Sequence, residues 1–250
     1  MTSADVVRTA GMELFVNRNP GAVDRYYTPD YRQHSPLAPD GPEALRDFVG
    51  HLPQEFRFEP LRILEDGEMV AIHCVYYGLA PTPVVAFNVF RVEGERLAEH
   101  WEVLAPLAHD SVSGRSQVDG PTEVSDPEKT VANKALLAEF AQKVLVERDL
   151  RVAENYIAPD FAQHNPEAAD GVAGAEAALA MWATQGRPLI HRRIHRILGE
   201  GNFVLTVAEG EFGVPVALYE LWRVEDGRIV EHWDVIQPVP FEMPHGNGFF

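Results

Sequence analysis

The chain of 250 residues states one pattern twice. Tyr26, Pro29, Asp30, Gln33, His34, Pro36, Asp40 and Gly41 return 130 positions later as Tyr156, Pro159, Asp160, Gln163, His164, Pro166, Asp170 and Gly171. A second phrase, Arg91-Val92 through Glu99-His100-Trp101-Glu102-Val103, returns after 132 positions as Arg223-Val224 through Glu231-His232-Trp233-Asp234-Val235. Solenoid repeats have periods of about 20–50 residues, so a period this long marks a duplicated domain. Each copy has the length of a common single domain. The expected division is a first domain over 1–108, a linker over 109–126 and a second domain over 127–250. The linker region is rich in Ser, Gly, Pro and Asp.

Hydrophobic residues make up 46% of the chain, enough for two cores. The formal net charge of -17 argues against nucleic acid, whose phosphates need clustered Lys and Arg, and against anionic membrane surfaces. Cys74 is the only cysteine, so no internal disulfide is possible; its apolar setting reads as a buried, inert thiol. Met1-Thr2-Ser3-Ala4-Asp5 lacks the basic and apolar regions of a signal peptide, and no run is long enough to span a bilayer. These features together predict a cytoplasmic protein.

Each copy opens with helical patterning. Val6, Val7, Ala10, Leu14 and Phe15 recur at helical spacing in the first copy, and Val131, Leu136, Leu137, Phe140, Val144 and Leu145 in the second. Ser125-Asp126-Pro127-Glu128 is a cap candidate. Short helices follow near 21–27 and 150–157, and further helices open after Asp40-Gly41 and Asp170-Gly171. Strands are expected over 70–77, 84–92 and 97–104, then over 190–198, 203–208, 216–224 and 229–236. Helices followed by an antiparallel meander give an α+β class.

Asp226-Gly227 is a type I′ hairpin signal. A two-residue turn there sets Asp234 opposite Tyr219 and His232 opposite Leu221. Side chains two apart share a face, so Tyr219, Leu221, His232 and Asp234 are expected on one face, and Glu220, Trp222, Glu231 and Trp233 on the other. In the first copy the corresponding faces carry Phe87, Val89, His100 and Glu102, and Asn88, Phe90, Glu99 and Trp101. The first face sets a carboxylate and an imidazole among apolar neighbours, where a carboxyl group is raised in pKa and can move protons near neutral pH. A structural His–Asp pair is the other reading. The second face reads as packing between sheets. His34 and His164 either cap their turns or add an imidazole at the cleft mouth, and His73 adds a polar group to the first copy alone.

Spaced ligand motifs such as His-Glu-x-x-His or Cys-x-x-Cys are absent, so no metal is expected. The glycine-rich phosphate loops are absent too, and no nucleotide cofactor is expected.

Gln163-His164-Asn165-Pro166 with Asp170-Gly171, Trp222-Arg223-Val224, and Glu231-His232-Trp233-Asp234-Val235-Ile236-Gln237-Pro238 resemble the SnoaL-like polyketide cyclases of the nuclear-transport-factor-2-like superfamily. The tails Ser113-Gly114-Arg115-Ser116 and Gly246-Asn247-Gly248-Phe249 fit as well. The resemblance implies two cone-shaped domains, each a curved antiparallel sheet wrapped by about three helices, packed as a pseudo-dimer within a monomer. It implies cofactor-free acid–base chemistry on a small apolar carbonyl compound, with proton abstraction and aldol-type ring closure. Asp234, His232 and His164 would be catalytic; Tyr219, Leu221, Asn165 and Trp182 would bind substrate. In the first copy Glu102, His100, His34, Phe87 and His73 take the equivalent places, and Glu102 departs from the aspartate of the pattern. The alternative is a non-catalytic carrier of a small apolar ligand.

Overall fold

The computed structural model describes residues 1–250 and divides into two compact units, one of Met1–Pro106 with Pro240–Phe250 and one of Leu107–Val239. The last eleven residues were expected in the second domain. They group with the first unit because their polar atoms are used there: Asn247 Nδ2 donates to Gln33 O at 3.0 Å, and Gly248 O lies 2.9 Å from His34 Nδ1. The segment after the first copy groups with the second unit in the same way, with Ser113 Oγ donating to Gln163 O at 2.7 Å.

In the first unit, helix α1 (Ser3–Gly11) starts from a capping box in which Thr2 and Asp5 satisfy each other's backbone N–H. It runs on into a π-helical turn, Met12–Val16. Helix α2 (Ala22–Tyr26) leads into strand β1 (Tyr27–Gln33), and α3 (Pro42–Gly50) precedes β2 (Arg57–Asp66), β3 (Met69–Tyr77), β4 (Val84–Glu93) and β5 (Arg96–Pro106). The second unit repeats the plan: α4 (Thr130–Phe140) with a π turn over Ala141–Val146, a 3-10 segment Leu150–Asn155, β6 (Ile157–Gln163), α5 (Gly171–Thr184), β7 (Leu189–Glu200), β8 (Phe203–Phe212), β9 (Pro215–Glu225) and β10 (Arg228–Pro238). The 125–128 cap is not formed. Asp126 takes a left-handed conformation and makes no side-chain cap, and the helix proper begins at Thr130.

The sheets run β1-β5-β4-β3-β2 and β6-β10-β9-β8-β7. They are mixed rather than antiparallel throughout, because β1 and β6 lie parallel to β5 and β10. The repeated Asp-Gly pair has a repeated use. Asp40 and Asp170 accept from the backbone N–H of Gln33 and Gln163, at 2.8 and 2.9 Å, and so tie the helix start to the strand end. Gly41 and Gly171, with φ of 88° and 79°, make the turn that this needs.

The β9–β10 hairpin departs from the expected register. Arg228 faces Glu225 and Ile229 faces Val224, as the type I′ turn requires, but a bulge at Val230 then shifts the pairing by one residue. Beyond it Asp234 faces Glu220, His232 faces Trp222 and Trp233 faces Leu221. A one-residue slip moves every partner side chain to the other face. The first unit carries the same shift at Ala98, so Asn88 faces Glu102 and Phe90 faces His100.

Candidate functional site

The second unit holds a cavity of about 160 Å³ between its sheet and the helices α4 and α5. Most of the wall is apolar, with Phe140, Phe161, Trp182 and Trp222 as the large members. One stripe of the sheet supplies most of the polar wall, with Gln163 and Asn165 at the end of β6, His191 on β7, Glu220 on β9, and His232 and Asp234 on β10; Arg148 and Glu176 add charged groups from outside the sheet.

Asp234 and His232 are each 6% exposed. Asn165 Nδ2 donates to Asp234 Oδ2 at 2.7 Å, while Asp234 Oδ1 has no partner. The amide cannot be turned round, because Asn165 Oδ1 accepts from the backbone N–H of Glu167 at 2.9 Å. Burial pushes the Asp234 carboxyl up to about 7; the Asn165 hydrogen bond pulls the other way, and the charge of Glu220 adds to the rise. Burial likewise holds the His232 imidazole down at about 4. His232 Nδ1 is engaged with Gln163 Oε1 at 2.9 Å, and its Nε2, 4.0 Å from Glu220 Oε1, has no hydrogen bond. The ring stacks on Trp222 at 4.0 Å.

Glu220 is buried yet held below the usual carboxylate range. Burial alone would raise it, and His191, His232 and Thr206 together outweigh that. His191 Nε2 bridges both carboxylate oxygens at 3.0 and 3.1 Å. A bulge at Arg192 sets His191 opposite Gly210. A Cβ at Gly210 would fall 2.2 Å from Ile190 O, so the bulge needs glycine there.

Of the residues expected from the sequence, Asp234, His232, Asn165 and Trp182 meet at this cavity. Tyr219 and Leu221 do not. The bulge turns them to the opposite face, where they pair with Val235 and Trp233, and Glu220 and Trp222 take their places. Trp222 therefore faces the cavity rather than a sheet-to-sheet contact, with its Nε1 donating to Thr206 Oγ1 at 3.0 Å. His164 also points away, because strand alternation sends it opposite Gln163 and Asn165. It stacks on Trp233, with Nε2 2.8 Å from Glu231 Oε1 and Nδ1 2.6 Å from Ser116 O. It anchors the strand end that carries the two amides and has no place in the cavity wall. Glu220, Gln163 and His191 are the site residues that the sequence reading missed. A lone carboxylate inside the run Val216-Ala217-Leu218-Tyr219-Glu220-Leu221-Trp222 was the available signal for the first.

The first unit has a smaller cavity of about 70 Å³, lined by Tyr27, Tyr31, Tyr76, Asn88, Phe90 and His100 among others. Glu102 is not in its wall. Its carboxylate accepts from the Ser35 hydroxyl, and burial pushes it up to about 7. His100 has both ring nitrogens engaged, by Gln33 Oε1 at 2.9 Å and by the Asn88 side-chain amide at 2.8 Å. His34 repeats the anchoring role of His164, stacked on Trp101 and paired with Glu99 at 2.8 Å. Phe87 and His73 stack on each other at 4.4 Å and sit on the far face, because the Ala98 bulge turns Phe87 away from the cavity. His73 Nδ1 lies 3.0 Å from buried Arg62.

No group of three or more His, Cys, Asp or Glu is disposed to hold a metal ion. No helix is long and apolar enough to cross a membrane.

Several solved structures align with one copy's worth of this chain. IdmH from Streptomyces antibioticus, a candidate polyketide cyclase, is 20% identical over 42% of this chain and 92% of its own, with a TM-score of 0.35. TsrD from Streptomyces laurentii is 15% identical over 41% of this chain and 87% of its own, with a TM-score of 0.35. A candidate ketosteroid isomerase from Kribbella flavida is 20% identical over 47% of this chain and 86% of its own, with a TM-score of 0.37. A search of curated proteins finds no match. The SnoaL-like domain matches twice, and each match ends two residues before Glu102 or Asp234. With that domain spanning residues 9–100 and again 137–232, the chain belongs to the SnoaL-like family.

Proposed function

We propose that the second unit is an acid–base catalyst for a small, largely apolar carbonyl compound, with Asp234 as the proton shuttle. The observation that carries this reading is the state of Asp234. One carboxylate oxygen is held by Asn165, and the other is buried without a partner on a residue that lines the cavity. A carboxyl group with a pKa of about 7 is a stronger base than a free aspartate and is still deprotonated in a large fraction of molecules at neutral pH.

In the proposed reaction Asp234 Oδ1 takes a proton from the carbon alpha to a carbonyl, leaving an enolate. The enolate carbon attacks a second carbonyl of the same substrate, forming a C–C bond and an alkoxide. The protonated Asp234 then returns its proton to that alkoxide, so the carboxylate is regenerated and the proton count balances. General-base catalysis of this kind is worth roughly 10²–10⁴-fold. Folding a flexible chain against Phe140, Phe161, Trp182 and Trp222 supplies the orientation that ring closure needs.

The first unit favours a different reading, that of a binding or scaffold half. Its carboxylate is tied to Ser35 and lies outside the cavity wall, and its histidine has no open ring nitrogen. Incubation with short linear poly-β-ketones, with product analysis by mass spectrometry and NMR, tests the proposal. A cyclised isomer formed by the wild type and lost in Asp234→Asn supports it. Saturable binding with no turnover in either protein makes the whole chain a carrier.

A further inference from the structure

The protonation pattern of His232 follows from a chain of bonds that starts at the backbone. The Asn165 backbone N–H donates to a side-chain atom of Gln163 at 2.9 Å. A backbone N–H can only donate, so that atom is the oxygen, Oε1. His232 Nδ1 lies 2.9 Å from the same oxygen and must therefore carry the hydrogen. Burial keeps the ring neutral at physiological pH, which leaves Nε2 with a lone pair and no hydrogen. Nε2 is buried and has no hydrogen-bond partner, and its residue is one of those that line the cavity. The nearest charged atom, Glu220 Oε1 at 4.0 Å, is itself an acceptor and cannot satisfy it.

The cavity thus offers a fixed, unmatched acceptor two residues along the strand from Asp234. We infer that the second unit selects ligands bearing a phenolic or enolic hydroxyl, which donates to His232 Nε2 while the rest of the molecule packs among Phe140, Phe161 and Trp222. The inference rests on the acid–base reading above and narrows its substrate to a carbonyl compound bound through an enol or phenol O–H. It assigns His232 as a hydrogen-bond acceptor to substrate rather than a donor to an enolate oxygen. Gln163 becomes a positioning residue that sets the tautomer.

Two measurements on the full chain test this. In 15N-histidine NMR of the wild type, the His232 Nε2 resonance, identified by its loss in His232→Gln, is expected at the unprotonated position. In titrations followed by calorimetry, 4-methylphenol is expected to bind about tenfold more tightly than 4-methylanisole, which has the same ring and no O–H donor. His232→Phe should erase the difference by weakening the phenol alone. If that variant does not fold, Gln163→Leu should shrink the difference by releasing the tautomer lock. A protonated Nε2, equal affinities, or no binding of either probe overturns the inference. Turnover lost in Asp234→Asn judges the acid–base reading separately, so either conclusion can fail while the other stands.

Discussion

Asn165 holds one oxygen of Asp234 through a 2.7 Å hydrogen bond from Nδ2 to Oδ2 and leaves the other without a partner. The backbone N–H of Glu167 fixes the orientation of that amide. The carboxylate is thus oriented by a main-chain group two hydrogen bonds away. The first unit replaces this pair with Ser35 and Glu102, and there the hydroxyl donates to a carboxylate that no longer reaches the cavity. The same strand positions support an open carboxylate in one unit and a closed one in the other.

Asp234→Asn keeps the shape of the side chain and removes the proton acceptor. Turnover of a cyclisable substrate is expected to fall by at least about 10², with KM little changed. Glu102→Gln should leave kcat within about twofold, since that carboxylate lies outside its unit's cavity. Comparable losses from the two substitutions would show that both units work.

The raised carboxyls also set the pH dependence of stability. Between the ordinary value of 3.8 and the folded value of about 7, Asp234 binds more protons in the native state than in the unfolded one. Stability from this group is therefore present at low pH and is lost as pH rises through that window, by at most about 4 kcal/mol. Glu102, raised from 4.5 to about 7, acts in the same direction. Asp234→Asn should raise Tm more at pH 8 than at pH 5. Thermal unfolding by circular dichroism at both pH values checks this, and equal gains would show that the native carboxyl is not raised.

Much of this site is legible in the sequence because the duplication prints it twice. Asp234 and His232 stand out as polar residues on an apolar strand present in both copies, and Asn165 sits in the repeated Gln-His phrase. The parts that were not legible depend on register. The bulge at Val230 carries no glycine or proline to mark it, yet it exchanges Tyr219 and Leu221 for Glu220 and Trp222. His191 was hidden for a related reason. It lies among Arg192, Arg193 and His195 in a strand whose two bulges break the period of two by which its facing could be read. His164 was legible as a repeated residue with two open roles, a structural one at its turn or an imidazole at the cleft, because its direction depends on which neighbours turn inward. The parallel pairing of β6 with β10 has no local signal at all, since it joins strands far apart in the chain.

Asn165→Leu tests how Asp234 is tuned. The lost hydrogen bond favours the charged carboxylate, so its removal should raise the Asp234 pKa further, by up to about one unit. The base works deprotonated, so the rising limb of the pH–rate profile should move to higher pH and activity at pH 7 should drop. Glu220, His191 and Glu167, the other charged groups that act on Asp234, stay in place in this variant. A limb that moves to lower pH, or does not move, would mean that the limb belongs to another group.

The C-terminal residues give a prediction about where the chain's tail does its work. His245 Nε2 lies 3.0 Å from Ser35 O, Asn247 Nδ2 donates to Gln33 O at 3.0 Å, Gly248 O meets His34 Nδ1 at 2.9 Å, and Phe249 is buried. All of these bonds reach the end of β1 in the first unit. Truncation after Val239 would leave the buried His34 ring nitrogen without its acceptor and free two backbone carbonyls, at a cost of about 1 kcal/mol for each bond. Hydrogen exchange should then accelerate at the amides of residues 33–35. The matching amides 163–165 should keep their protection, because Ser113 and the carbonyl of Ser116 hold that strand end instead. Faster exchange at 163–165 with 33–35 unchanged would place the tail on the second unit instead.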